Sequence, residues 1–296
     1  MPTLSFSGHE TFPLRFLWLP KAVRAAAEDP AVFRSGEAIA TFGVGRNMVR
    51  AMRHWGLATG ALREGETRGA IVPTAWGLAT FGEGGADPYC EHLATSWRLH
   101  WRLCREADRA TLWHFLFGHF RGHTADLDGL AHSLGEWLDA QGAADAQPKR
   151  STLRRDLTCL AGTYAPLTRQ DAEDAALSPL AGLGLVERSA GALVLRRGRR
   201  TGLTPEVFAD AVLDFWARTA PTSRTLAISD VLSAPASPGR VFGLGEDQAF
   251  ELIEAIEAEP EAAFRFDSTA GVQQLYRDAP VPPAEHDRQL GLALPA

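Results

Sequence analysis

The sequence has few lysines, cysteines and tyrosines. Lys21 and Lys149 are the two lysines among 296 residues, and neither follows a carboxylate at the spacing of the Asp/Glu-x-Lys element of restriction-type nucleases. The three cysteines lie far apart and form no Cys-x-x-Cys pair, which argues against a disulfide framework and a cysteine-rich zinc site. Three tyrosines leave few candidates for a covalent tyrosine mechanism. We therefore expect reduced, packed cysteines in a cytoplasmic protein.

Long apolar segments are also missing from the sequence. No run approaches the ~18 apolar residues that a membrane span needs, and no signal peptide is apparent at the N-terminus. By contrast, hydrophobic residues make up 45% of the chain and eight of them are tryptophans. The sequence therefore predicts a folded protein of two or three domains that has no membrane segment.

Charge is distributed unevenly along the chain, although the net charge is −6. Residues 1–76 carry +3, residues 77–146 carry −5, residues 147–202 carry +5 and residues 203–296 carry −9. The local field rather than the total charge attracts a polyanion. The two basic blocks are therefore candidates for nucleic-acid contact, although chance could also produce such a pattern.

The first basic block has the pattern of a winged helix-turn-helix. A helix predicted over residues 35–42 is followed by Gly43-Val44-Gly45, by a second helix from Arg46, and by two short strands around EGETRG. Arginine can contact guanine and asparagine can contact adenine in the major groove. The predicted DNA-binding residues are Arg46, Asn47, Arg50, Arg53, His54 and Arg68. Winged helices also bind proteins, and that alternative stays open.

The second basic block begins with an amphipathic helix, TLRRDLTCLAGTY, preceded by Ser151 as a helix cap. The segments LVER and ALVLRR then predict a hairpin. The cations of this block favour a second nucleic-acid surface, which would line a shared path for a nucleic-acid strand together with the first block. The alternative is a charged face that is only solvated. The candidate residues are Lys149, Arg150, Arg154 and Arg155.

The predicted fold is mainly α with short β-hairpins. The predicted units are a winged helix-turn-helix domain (1–82), a helical middle region (83–146), a basic helix with a hairpin that could form a second winged unit (147–202), an acidic, mainly helical C-terminal region of α+β character (203–280) and a tail (281–296). Within the C-terminal region, FRFD is expected to form a short strand, followed by a last helix that Ser268 or Thr269 caps. The histidines at 114, 119 and 123 do not have a compact metal-ligand spacing with Asp126 and Asp128, so no metal ligands are assigned.

The segment FSGHETFPLR at residues 6–15 combines a histidine with a carboxylate. A neutral His9 could take a proton from water, and Glu10 could hold a metal together with a distant aspartate. Both are weak catalytic candidates, because adjacent side chains point apart on most backbones. The alternative is structural, with Thr11 before Pro13 capping the first helix.

Several strings together resemble a bacterial family. They are FSGHETFPLR, GVGRNMVRAMRHW, PTAWG, DPYCEHLATSWRLHW, TLRRDLTCL, SPLAGLGLV, SPGRVFGL and DSTAGVQQLY, spread over residues 4–278. The sequence is similar to a domain-of-unknown-function family that accompanies gene clusters for single-strand DNA phosphorothioation and includes SspB-type DNA nickases. The resemblance implies that the chain binds DNA. It also implies three partner proteins: a cysteine desulfurase, an ATPase and an ATP-pyrophosphatase-like protein. It implies no catalytic residues.

Three functions are compatible with these features. The first is a DNA-binding component of a phosphorothioate modification and phage-defence system that nicks one strand, with Mg²⁺ or Mn²⁺ as the cofactor if it is a nickase. The second is a non-catalytic adaptor whose acidic C-terminal third binds a basic partner. The third is a transcriptional regulator. Assembly as a homodimer also stays open.

Overall fold

The computed structural model describes residues 4–165, 178–269 and 271–278, so the predicted tail lies outside the described residues. These residues form mainly helices with three small antiparallel sheets. The prediction of a mainly α fold with short β-hairpins is confirmed at this level. None of the helices in the described part is long and apolar enough to cross a membrane.

The N-terminal part contains the helices and strands that the sequence predicts around the Gly43-Val44-Gly45 turn. Gly43 ends the second helix in the left-handed region, with φ 65°, where glycine is favoured. The third helix buries Val49, Met52 and Trp55 on one face and packs against the first helix. The elements are α1 Trp18–Glu28, a 3₁₀ turn Val32–Arg34, α2 Ala38–Phe42, α3 Arg46–Ala58, β1 Leu62–Glu64, β2 Ile71–Pro73 and α4 Ala75–Phe81.

The middle part is helical except for one short strand that the sequence does not predict. This strand, Thr124–Ala125, pairs with a strand of the basic block further along the chain. Pairing satisfies backbone groups that an open strand edge would expose. The elements are α5 Leu93–Cys104, α6 Thr111–Trp113 continued by a π-helical segment His114–His119, β3 Thr124–Ala125 and α7 Leu127–Ala140.

The basic block contains its predicted helix and hairpin. The helix begins at Arg150 with Lys149 at the N-cap position, so Ser151 lies within its first turn and the prediction that Ser151 is the cap is wrong. The hairpin turn has Ala190 at φ 46° and Gly191 at φ 82°, the backbone that tight two-residue hairpin turns require. Its strands join the middle part in one sheet of order β3-β5-β4. The elements are α8 Arg150–Tyr164, a 3₁₀ turn Ala181–Leu183, β4 Val186–Ser189 and β5 Ala192–Leu195.

The described C-terminal part closes with a hairpin. Its first strand was predicted, whereas the prediction of a last helix after Ser268 or Thr269 is wrong. Gly271 turns the chain at φ 82°, and the following segment buries Leu275 but exposes its neighbour Tyr276. This alternation fits a strand with one buried face. The elements are α9 Pro205–Thr219, β6 Thr225–Ala227, α10 Ile228–Ser233, α11 Pro238–Val241, α12 Glu246–Glu257, β7 Arg265–Thr269 and β8 Val272–Tyr276.

One continuous core joins these parts. Large side chains from successive segments, among them Trp55, Trp97, Tyr164 and Phe208, are fully buried within one cluster. The three cysteines are buried free thiols, and burial raises the pKa of each above its usual range. The expectation of reduced, packed cysteines is confirmed.

Candidate nucleic-acid interface

Residues 7–11, which we call the SGHET loop, have an unusual backbone. Ser7, Glu10 and Thr11 lie in the left-handed region, with φ of 62°, 50° and 70°. Residues other than glycine enter this region at an energetic cost of the order of 1 kcal/mol or more. The surrounding contacts must therefore hold the loop in place.

His9 lies at the centre of the SGHET loop and is only 1% exposed. The Thr11 N–H donates to His9 Nδ1 at 3.0 Å, and His9 Nε2 lies 3.1 Å from Asp156 Oδ1. Because Nδ1 accepts a hydrogen bond, the ring proton sits on Nε2 and is donated to Asp156. The ring also stacks on Trp55, with centroids 6.1 Å apart. Both ring nitrogens are thus engaged inside the protein, which favours a structural role over a general base. This role differs from the expected one, because the first helix begins at Trp18 with Leu17 at its N-cap, so Thr11 does not cap it.

Asp156, on α8, is one residue of this site that the sequence pattern did not identify. It is 1% exposed and accepts hydrogen bonds from Ser7 N at 2.9 Å, from Ser7 Oγ at 3.0 Å and from His9. A buried carboxylate needs such donors. The sequence does contain a signal that Asp156 is buried. Asp156 lies three residues after Leu153 and four before Leu160, and therefore on the apolar face of its helix.

The other side of the SGHET loop contacts α3. A Cβ at Gly8 would overlap the imidazole ring of His54, so the loop backbone passes directly over that ring. Trp55 Nε1 donates to Phe12 O at 3.0 Å, and Arg50 pairs with Glu10 at 3.6 Å. The loop therefore lies between α3 and α8 and fixes these two basic helices as neighbours.

Four exposed arginines and one asparagine form what we call the arginine surface. Arg34, Arg46 and Arg50 line a cleft of about 320 Å³ between the 3₁₀ turn and α3. Arg34 also donates from Nη1 to Arg68 O at 2.8 Å, and both residues line an adjoining cleft of about 380 Å³. Arg34, which the sequence analysis did not single out, thus connects the hairpin tip to α3. The members of the surface are Arg34, Arg46, Asn47, Arg50 and Arg68, all of them exposed.

Two other predicted DNA-binding residues of α3 have different surroundings. Arg53 is half-buried and pairs with Glu64 at 3.8 Å, and Arg109 pairs with the same carboxylate at 3.5 Å. His54 does not lie on an open outer face as predicted, because the SGHET loop covers it. Burial, followed by the charges of His9, Arg109 and Arg53, lowers the pKa of His54 to about 3. It is therefore neutral near pH 7 and offers no cation to a phosphate.

The predicted cations of α8 are exposed. Lys149, Arg154 and Arg155 face solvent, whereas Arg150 pairs with Asp128 on α7 at 2.5 Å. Exposed ion pairs of this kind contribute at most about 1 kcal/mol. A phosphate can therefore replace Asp128 as the partner of Arg150.

The described residues contain no group of three His, Cys, Asp or Glu side chains that could hold a metal ion. Glu10 and Glu64 are paired with arginines, and Asp126 caps α7 by accepting from the N–H groups of Asp128 and Gly129. These contacts assign no metal ligand among the described residues, and no reaction step through a metal follows from them.

Comparison with known proteins identifies the family. The model of "Protein of unknown function (DUF4007)" matches residues 6–287. A magnesium ion-bound SspB crystal structure and a second SspB crystal structure each superpose with a TM-score of 0.85 at 28% sequence identity, covering 97% of this chain and 86% of that chain. Comparison with curated proteins gives no match. The resemblance noted in the sequence is confirmed, and the chain belongs to the DUF4007 family.

Proposed function

We propose that this chain is a DNA-binding component of a DNA phosphorothioate modification and phage-defence system. Its N-terminal part acts as a winged helix-turn-helix, with α3 in the major groove and the β1–β2 hairpin as the wing. The observation that carries this proposal is the position of Arg34, whose guanidinium lines the α3 cleft and donates to the hairpin tip. The cations of helix and hairpin therefore belong to one surface.

The chemistry of this surface suits a duplex. Arg46 and Asn47 occupy the first turn of α3, the part of a recognition helix that reads base edges. Arg34 and Arg68 at the hairpin have the charge and exposure to contact phosphates, which position a protein on DNA without reading its sequence. The buried face of α3 anchors the helix in the core, so its exposed face is free to bind.

The basic end of α8 extends the same interface in this proposal. The SGHET loop contacts α3 through Gly8 and Glu10, and contacts α8 through Ser7 and His9. A strand that leaves the arginine surface across this loop would meet the cations of α8. This arrangement supports the shared path that the two basic blocks predict.

The place in a modification system rests on the family and on the similarity to SspB. We extend to this chain, as part of the proposal, nicking of one DNA strand, cytoplasmic location and assembly with a cysteine desulfurase, an ATPase and an ATP-pyrophosphatase-like protein. No catalytic residue is assigned. His9 is buried and both of its ring nitrogens are hydrogen-bonded, whereas Glu10 lies beside the arginine surface, where it pairs with Arg50.

An experiment with supercoiled plasmid tests both DNA binding and nicking of one strand. The purified protein is expected to retard the plasmid at low salt, with an affinity that falls steeply as salt is raised, and to convert it to the open-circular form when Mg²⁺ or Mn²⁺ is added. Retardation without conversion, with capture of the partner proteins, would support the adaptor. Absence of both retardation and conversion would contradict the proposal.

A further inference from the structure

A cavity of about 640 Å³ opens in the middle part of the chain, and it shares no lining residue with the arginine surface. Three segments form its walls: the π-helical segment with the residues after it, one face of α7, and residues 233–240. Its size falls within the ~300–1,000 Å³ typical of small-molecule sites. π-helical turns are rare and occur frequently at functional sites.

Two histidines on the π-helical segment form a directed pair. His114 Nδ1 lies 2.7 Å from Cys104 O and therefore donates to it, which leaves His114 Nε2 as an acceptor. His119 Nε2 lies 2.9 Å from that atom and donates to it. Burial lowers the pKa of His114, and burial followed by the charges of His114 and Arg240 lowers the pKa of His119 to about 4. Near pH 7 the pair is neutral and held in one orientation.

Aromatic surface lines the cavity next to this pair. The rings of His119 and Trp137 have centroids 5.2 Å apart, and both residues are partly exposed. Phe115 lies behind them, 5.5 Å from Trp137 and almost fully buried. Planar aromatic side chains of this kind are the surfaces on which nucleic-acid bases stack.

Two guanidinium groups give the cavity a positive character. Arg240 is fixed by donating from Nε to Gly118 O and from Nη2 to Phe120 O, each at 2.8 Å. Arg121 also lines the cavity and is exposed. Glu136 is the one carboxylate among the lining residues. Guanidinium groups form strong hydrogen bonds with phosphate oxygens.

We propose that this cavity binds a single nucleotide, with the base against Trp137 and His119 and the phosphate at Arg121 and Arg240. A duplex is too wide for a cavity of this volume, so the ligand is a free mononucleotide or one unpaired nucleotide of a single strand. The residues differ from those of the arginine surface, and the site therefore goes beyond the proposed DNA-binding function.

The test measures binding of AMP and TMP by calorimetry and of a labelled hexathymidylate by fluorescence anisotropy. Arg121→Ala removes a phosphate partner, and Ser133→Leu fills the cavity from α7 with a residue of higher helix propensity. Arg121→Ala is expected to bind about tenfold or more weakly because it loses a hydrogen bond between charged groups. Ser133→Leu is expected to bind at least as weakly because its side chain occupies space that the nucleotide needs. Preference for the mononucleotides would identify free nucleotide as the ligand, and preference for the hexamer would identify single-stranded nucleic acid.

Matched controls are Ala140→Leu on α7 and Arg265→Ala on β7, both exposed and outside the cavity, which should bind like the unaltered protein. Arg46→Ala with Arg50→Ala should also leave nucleotide binding unchanged, which separates this site from the arginine surface. The proposal is overturned if neither probe binds, if folded Arg121→Ala and Ser133→Leu bind like the controls, or if inorganic phosphate binds as tightly as AMP.

Discussion

Replacing Arg46 and Arg50 together by alanine is expected to weaken duplex DNA binding about 100-fold, because each arginine that binds DNA contributes about 1–3 kcal/mol. Both side chains are exposed and line the cleft next to Arg34. Removal of Arg50 also leaves Glu10 without its partner, so a carboxylate would then face the DNA. The slope of log affinity against log salt should flatten by about 0.9 for each phosphate that the variant no longer neutralises. Fluorescence anisotropy across a salt series measures both quantities.

The matched control is Lys21→Ala with Arg265→Ala. These residues are exposed on α1 and β7, and their removal lowers the net charge by the same amount. Their removal should change affinity only slightly through the overall field. An unchanged salt slope for the Arg46 and Arg50 variant would argue that α3 faces a protein. An equally large drop in affinity in the control would show that overall charge, and not the arginine surface, determines binding.

Asp156→Ala is expected to lower the free energy of unfolding by roughly 3 kcal/mol or more, since each buried donor left without an acceptor costs about 1–3 kcal/mol. The substitution removes the acceptor for Ser7 N, Ser7 Oγ and His9 Nε2. Asp156→Asn should cost less, because its amide oxygen can still accept some of these bonds. Urea denaturation gives both values.

Asp145→Ala provides the comparison, because Asp145 is exposed in a short 3₁₀ turn and its removal should change stability by about 0.5 kcal/mol or less. If Asp156→Ala unfolds at the same urea concentration as Asp145→Ala, the SGHET loop is not held by α8. The link between the two basic helices through this loop would then be wrong.

Local patterns were sufficient to predict much of the N-terminal part. Gly43-Val44-Gly45 predicts a tight turn, and the apolar spacing of Val49, Met52 and Trp55 predicts the helix that follows. The hairpins of residues 62–73 and 186–195 were also predicted from short alternating segments beside turn residues. In each case the deciding interactions lie within a few residues of one another along the chain.

Contacts between distant residues could not be predicted in this way. His9 and Asp156 are 147 residues apart in sequence, and no local pattern shows that the SGHET loop covers His54. Arg34 lies outside the predicted recognition helix, and its role depends on the backbone carbonyl of Arg68. The second strand of the last hairpin is predicted as a helix because Ser268 or Thr269 resembles a helix cap, whereas the left-handed Gly271 and the pairing with β6 favour a strand.

Amide hydrogen exchange with and without saturating duplex DNA tests most directly whether the arginine surface and α8 form one interface. If they do, DNA is expected to slow exchange in residues 46–50, 65–69 and 149–155, with no change in the hairpin of residues 265–276. Protection confined to the C-terminal part, or absent from either basic helix, would contradict a shared interface.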